Sequence, residues 1–177
     1  DPVHVTLDRV DEVIGMAEPY KPSITPDDYR CFPIAWPKEE VTYLQGFNAL
    51  PGNSTLVHHI AVYTILPQYA DLPFEWEQED ESPGYTCFGG PTGGRDGTIP
   101  TLLLSAWVPG NGATVFPNDI GIEVLPGTTL VFQVHYNTEA GLGETDQSSF
   151  EFQLSESVSR RGIYAPWLAL DWVLGGM

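Results

Sequence analysis

Proline and glycine interrupt this chain at short intervals, sixteen Pro and eighteen Gly set between short apolar runs. That punctuation describes turns connecting strands rather than a helical bundle. The runs 41–47, 56–66, 101–108, 121–124, 128–137 and 149–154 read as strands, with turns at Pro109-Gly110-Asn111-Gly112 and Pro126-Gly127. Many short strands with regular turns predict an all-β sandwich or jelly roll. Only Asp8 to Met16 reads as briefly helical or irregular, and the first thirty residues, with four prolines, read as an extended arm lying along the sheets. A chain of 177 residues suffices for one domain with a real core, or one domain plus a docking segment.

Three of the four histidines fall inside strand-like apolar runs: His58 and His59 in Val57-His58-His59-Ile60-Ala61-Val62-Tyr63, and His135 in Leu130-Val131-Phe132-Gln133-Val134-His135-Tyr136. An imidazole half-buried in such a run needs partners for its ring nitrogens. Three neutral imidazoles with no thiolate or carboxylate beside them suit copper or zinc, with a coordination position left open. The alternative is three unrelated histidines bonded to backbone carbonyls. Adjacent side chains of a regular strand point to opposite faces, so His58 and His59 reach one ion only if a bulge or a twisted strand end re-aims one ring. The Pro51-Gly52-Asn53-Ser54 turn puts the pair early in its strand, where such distortion is easiest.

The net charge of −17, with only seven Lys and Arg, argues against nucleic acid or an anionic membrane as partner. The acidic run from Glu75 to Glu81 reads as a solvated loop. Cys31 and Cys87 flank the histidine pair as either a disulfide or two free buried thiols; a disulfide would imply an oxidising compartment. The chain starts at Asp1, which reads as a processed form or an excised segment. The glycine-rich run from Cys87 to Arg95 lacks the Gly-Lys-Ser/Thr ending of a phosphate loop. Neither Gly-x-Ser-x-Gly nor His-Glu-x-x-His is present, and no histidine stands at a signature spacing from a cysteine for a thiol protease.

Four separated blocks resemble the amino-terminal half of the copper type II, ascorbate-dependent monooxygenases, the family of peptidylglycine α-hydroxylating monooxygenase and dopamine β-monooxygenase. They are Tyr29-Arg30-Cys31-Phe32-Pro33; Val57-His58-His59; Tyr85-Thr86-Cys87; and Ala106-Trp107-Val108-Pro109 through Phe116-Pro117 and Gly121 to Gln133-Val134-His135-Tyr136. They cover residues 29–137 in family order, in a cast closer to bacterial members than to animal ones. The resemblance implies an antiparallel jelly-roll β-sandwich in which His58, His59 and His135 hold a copper that receives electrons. It also implies a Cys31–Cys87 disulfide and places Tyr29 and Gln133 close to that copper. Three segments follow from it: an arm at 1–28 packed on the sandwich, a copper domain at 29–160, and a final strand or linker at 161–177.

The departures from the family define what the chain is expected to do. The oxygen-activating copper of the family lies in a second domain and uses a His-x-His pair and a Met. This chain has no His-x-His, and its spare candidates are His4, Met16 and Met177. The implied function is the electron-transfer half of a copper-dependent monooxygenase, using dioxygen and a reductant such as ascorbate, with a second copper domain as partner. Hydroxylation is not expected from this piece alone. The apolar run from Ile163 to Leu174 is either a last buried strand or the docking face for that partner. A copper storage module, a three-histidine zinc hydrolase and a purely structural sandwich are the competing classes. The resemblance and the possible disulfide give a secreted, periplasmic or cell-surface location.

Overall fold

The computed structural model describes residues 5–95, 99–141 and 143–163. In chain order its strands are β1 (Glu12–Gly15), β2 (Asp27–Ala35), β3 (Thr42–Leu50), β4 (Val57–Ile65), β5 (Tyr85–Thr86), β6 (Thr101–Trp107), β7 (Thr114–Val115), β8 (Ile120–Val124), β9 (Thr129–Asn137), β10 (Ser149–Ser155) and β11 (Arg160–Gly162). All six strands expected from the sequence form, within a few residues of their expected ends. One sheet runs β1-β10-β3-β8-β11, with β7 also on β3; the other runs β5-β2-β9-β4-β6. Every pairing is antiparallel except β11 on β8. The sheets face each other as a sandwich.

Period-two alternation in β9 explains how the site is presented. Its even-numbered side chains, Leu130, Phe132, Val134 and Tyr136, enter the core between the sheets, where Phe132 meets Phe150 of the opposite sheet edge-on at 5.2 Å. Each fully buried Leu, Ile or Phe contributes about 1.5–3 kcal/mol, so this layer dominates the stability of the fold. The odd-numbered side chains, from Val131 to His135, point to the outer face. A second apolar cluster covers part of that face: Cys31, Val131, Ile65, Trp76, Tyr85, Cys87 and Ile99. The excursion between β4 and β6 supplies most of this cover, and Cys31 and Cys87 are bonded beneath it with their Cα atoms 5.9 Å apart.

The buried Arg30 fastens this cover at its edge. Its guanidinium donates to the carbonyls of Ser82, Pro83 and Gly84, to Thr86 Oγ1 and to the Asp80 carboxylate, at 2.8 to 3.2 Å. A buried cation is tolerable only when its donors are satisfied in this way. The Arg30 guanidinium in turn holds the Asp80 carboxyl below its usual range.

Two expectations are corrected. Within Asp8 to Met16 the chain is not helical: Glu12–Gly15 adds an edge strand to β10, burying Ile14 and leaving Val13 exposed. The acidic run from Glu75 is not simply a loop, because helix α1 (Leu72–Gln78) extends into it. Pro73 starts that helix with its φ already set, and Trp76 anchors it in the outer cluster, so burial of one ring outweighs the solvation of its acidic neighbours. Residues 5–28 hold to the sandwich through β1, through Val5 O accepting from Ala113 N, and through the paired backbones of Tyr20 and Asp146. His4, Met177 and all but the first residue of the apolar run from Ile163 lie outside the described residues.

Candidate metal centre

The strand-face conflict between His58 and His59 is resolved by a bulge in β4. Val57 pairs with Tyr136 and His59 with His135, so the register slips between Val57 and His59 and His58 is the extra residue. Counting back from the core residues Ile60 and Val62, His59 takes the outer face beside His135. The bulge turns His58 to the same side. Its Nδ1 lies 3.2 Å from His59 Nδ1, which lies 3.3 Å from His135 Nδ1.

His59 Nδ1 therefore faces both of the other Nδ1 atoms, and one ligating nitrogen from each of the three rings lies within 4.8 Å of the other two. Two nitrogens at 2.0–2.1 Å from a single ion, at a tetrahedral angle, stand about 3.3 Å apart. The observed spacings match, and among the described residues these three histidines form the one cluster of ligating side chains close enough to share an ion. Three adjacent strands supply the frame, with β9 at the centre, β4 on one side and β2 on the other. His58 is exposed, His59 half-buried and His135 buried, which leaves the cluster open to solvent on the His58 side. Burial, reinforced by His135 and His58, pushes the His59 imidazole down to about 4. It is neutral at pH 7, as a donor to a metal must be.

Tyr29, directly opposite His135 in the β2–β9 register, stacks on the His135 ring at 4.1 Å and 7°. Burial and the nearby Asp27 raise its phenol above the ordinary tyrosine range. Phe88, 73% exposed, meets Tyr29 edge-on at 5.0 Å. Gln133 is one step further from the cluster on the same face and donates to the carbonyl of Cys87 at 3.1 Å, tying the disulfide loop to β9. It supports the site's wall and makes no hydrogen bond to the histidines. Met16 is buried in the inner core, where its sulfur accepts from Tyr136 Oη and Ser148 N.

One residue of the site escaped the sequence: Asp27, whose Oδ1 lies 2.8 Å from His135 Nε2. The signal was the period-two spacing Asp27-x-Tyr29-x-Cys31, which puts all three on one face of a strand. The expected extended arm at 1–28 hides it, because β2 begins within that arm at Asp27.

The fold and this cluster define an all-β sandwich with a three-histidine site able to bind a metal ion. No family model matches the chain, and comparison with curated proteins found no match. The disulfide indicates an oxidising, extracytoplasmic environment. No helix among the described residues is long and apolar enough to cross a membrane.

Proposed function

We propose that this domain is the copper-binding, electron-transfer half of a copper-dependent monooxygenase resembling the copper type II, ascorbate-dependent family, working in a secreted, periplasmic or cell-surface setting. The observation that carries the reading is the convergence of three Nδ1 atoms produced by the β4 bulge. The residue blocks behind the resemblance also meet in space: Tyr29 and Cys31 on β2, His58 and His59 on β4, and Gln133 and His135 on β9 lie on neighbouring strands, with Cys87 bonded to Cys31. The jelly-roll wiring of that family belongs to the same proposal.

Copper held there would exchange one electron between Cu(II) and Cu(I), for which neutral nitrogen donors serve both oxidation states. The chain's own residues define the pocket's chemistry. His58, His59 and His135 offer lone pairs, Tyr29 walls one side of His135, and the exposed His58 edge admits a small reductant such as ascorbate. A second copper domain, covalent or docked, would take the electron and perform the oxygen chemistry. The same three nitrogens would also hold zinc, and titration with both metals separates the two; the carboxylate that folding brings in, Asp27, is engaged with the far nitrogen of His135.

Titration of metal-free protein with Cu(II) and Zn(II), followed by ascorbate, tests the proposal. One tightly bound copper per chain, with a Cu(II) resonance that ascorbate abolishes, is the expected result. Copper that ascorbate leaves oxidised, or zinc-dependent ester hydrolysis at the site, would contradict it.

A further inference from the structure

We infer that Asp27 is a positioning residue of the metal centre, selecting the nitrogen that His135 offers and biasing the bound ion toward its more oxidised state. The inference rests on the copper reading above. Asp27 and Asp28 are neighbours on β2 and alternate to opposite faces. Asp28 is fully buried and works for the fold, its Oδ2 accepting from Tyr20 Oη, Ser23 N and Ile24 N. Asp27 is half exposed, and the one hydrogen bond of its carboxylate among the described residues is with His135 Nε2. With the carboxylate half exposed and the imidazole neutral, the contact adds little to folding stability, so fold maintenance is a poor account of it.

Its effect on the ring is specific. A neutral imidazole carries one N–H, and a carboxylate 2.8 Å from Nε2 holds the proton there as a donor to Oδ1. Nδ1 is then left with its lone pair on the side of His59 Nδ1. Tyr29, stacked on the ring face, keeps the plane from turning away. Among the described residues neither His58 nor His59 has a carboxylate partner, so Asp27 acts on one ligand of the three. It also makes the imidazole a stronger donor and adds a negative charge beside the ion. A doubly charged ion gains more from both effects than a singly charged one. Asp27 therefore strengthens Cu(II) binding more than Cu(I) binding and lowers the reduction potential.

Two substitutions separate orientation from charge. In Asp27→Asn the amide oxygen can still accept the Nε2 proton; in Asp27→Ala both hydrogen bond and charge are gone. Cu(II) and Cu(I) affinities by competition, the midpoint potential by spectroelectrochemistry, and the thermal midpoint of the metal-free protein are measured for all three proteins. Asp27→Ala is expected to lose about 10–100-fold in Cu(II) affinity, the usual cost of removing such a partner. Asp27→Asn should lose less, yet still show a raised potential. The affinities and potential must agree, because each tenfold by which Cu(II) binding falls more than Cu(I) binding raises a one-electron potential by about 59 mV. The metal-free thermal midpoints should be nearly equal. Normal copper loading with one common potential in all three proteins would overturn the role of Asp27 alone. No copper uptake by the unsubstituted protein would overturn the copper reading and this inference together.

Discussion

Three imidazoles whose Nδ1 atoms stand 3.2 and 3.3 Å apart in sequence of contact carry the functional account at the scale of single residues. Replacing His58, His59 or His135 singly by alanine removes a third of the donors. Each change is expected to weaken copper binding by at least the roughly 10–100-fold typical of losing an outer partner. Isothermal titration in the presence of a competing chelator checks this, and unchanged affinity in all three variants would dissolve the site. His59 also gives the metal-free protein a pH signature. Its imidazole is held down to about 4 in the fold, against an ordinary value of 6.5. As pH falls through that window the unfolded chain takes up a proton that the folded chain refuses, so stability present above 6.5 is progressively lost down to about 4. Chemical denaturation at pH 7 and pH 4.5 should show a larger loss for the natural protein than for His59→Gln. Equal losses would show that the ring is not desolvated as described. The histidines themselves were legible in the sequence as polar rings inside apolar strands. Asp27 was not, because its meaning depends on the pairing of β2 with β9.

At the scale of elements, one residue too many in β4 makes the site. Deleting His58 outright leaves Val57 facing the core and His59 facing outward in unbroken alternation, with the pairings to Tyr136 and His135 kept. The deletion is expected to leave folding stability within about 1 kcal/mol, since an exposed, unpaired residue is removed, while copper affinity falls as in His58→Ala. Retained affinity, by the same titration, would mean that the bulge has no part in binding. The need for such a bulge was readable from two adjacent histidines, but its place in the ladder was not. β2 was hidden for another physical reason. Its Asp28 and Arg30 look like surface residues; the burial of Asp28 is compensated by Tyr20, and that of Arg30 by Asp80 and the carbonyls at 82–84, fifty or more residues away in sequence. The helix over Leu72–Gln78 was masked by its acidic residues, although Trp76 carries its packing.

Across the whole molecule, alternation along the strands was enough to expect a sandwich, because one face of each strand had to be buried. What it could not give was the second apolar layer, in which the excursion between β4 and β6 is bonded through Cys87 to β2 beside the histidines. Joining residues 56 apart, this disulfide is expected to stabilise the fold by roughly 2–4 kcal/mol through restriction of the unfolded chain. Urea unfolding of the Cys31→Ser, Cys87→Ser double variant measures the loss, and unchanged stability would contradict it. The charge of −17 belongs to this scale too, and argues against nucleic acid or an anionic membrane as partner. Three strands, β2, β4 and β9, build one centre. Copper-edge X-ray absorption on the loaded protein reads that centre directly. Three imidazole nitrogens at about 2.0 Å, reduced in number by His135→Ala, are the predicted result. Copper bound mainly by carboxylate oxygen, or a spectrum indifferent to His135→Ala, would contradict it.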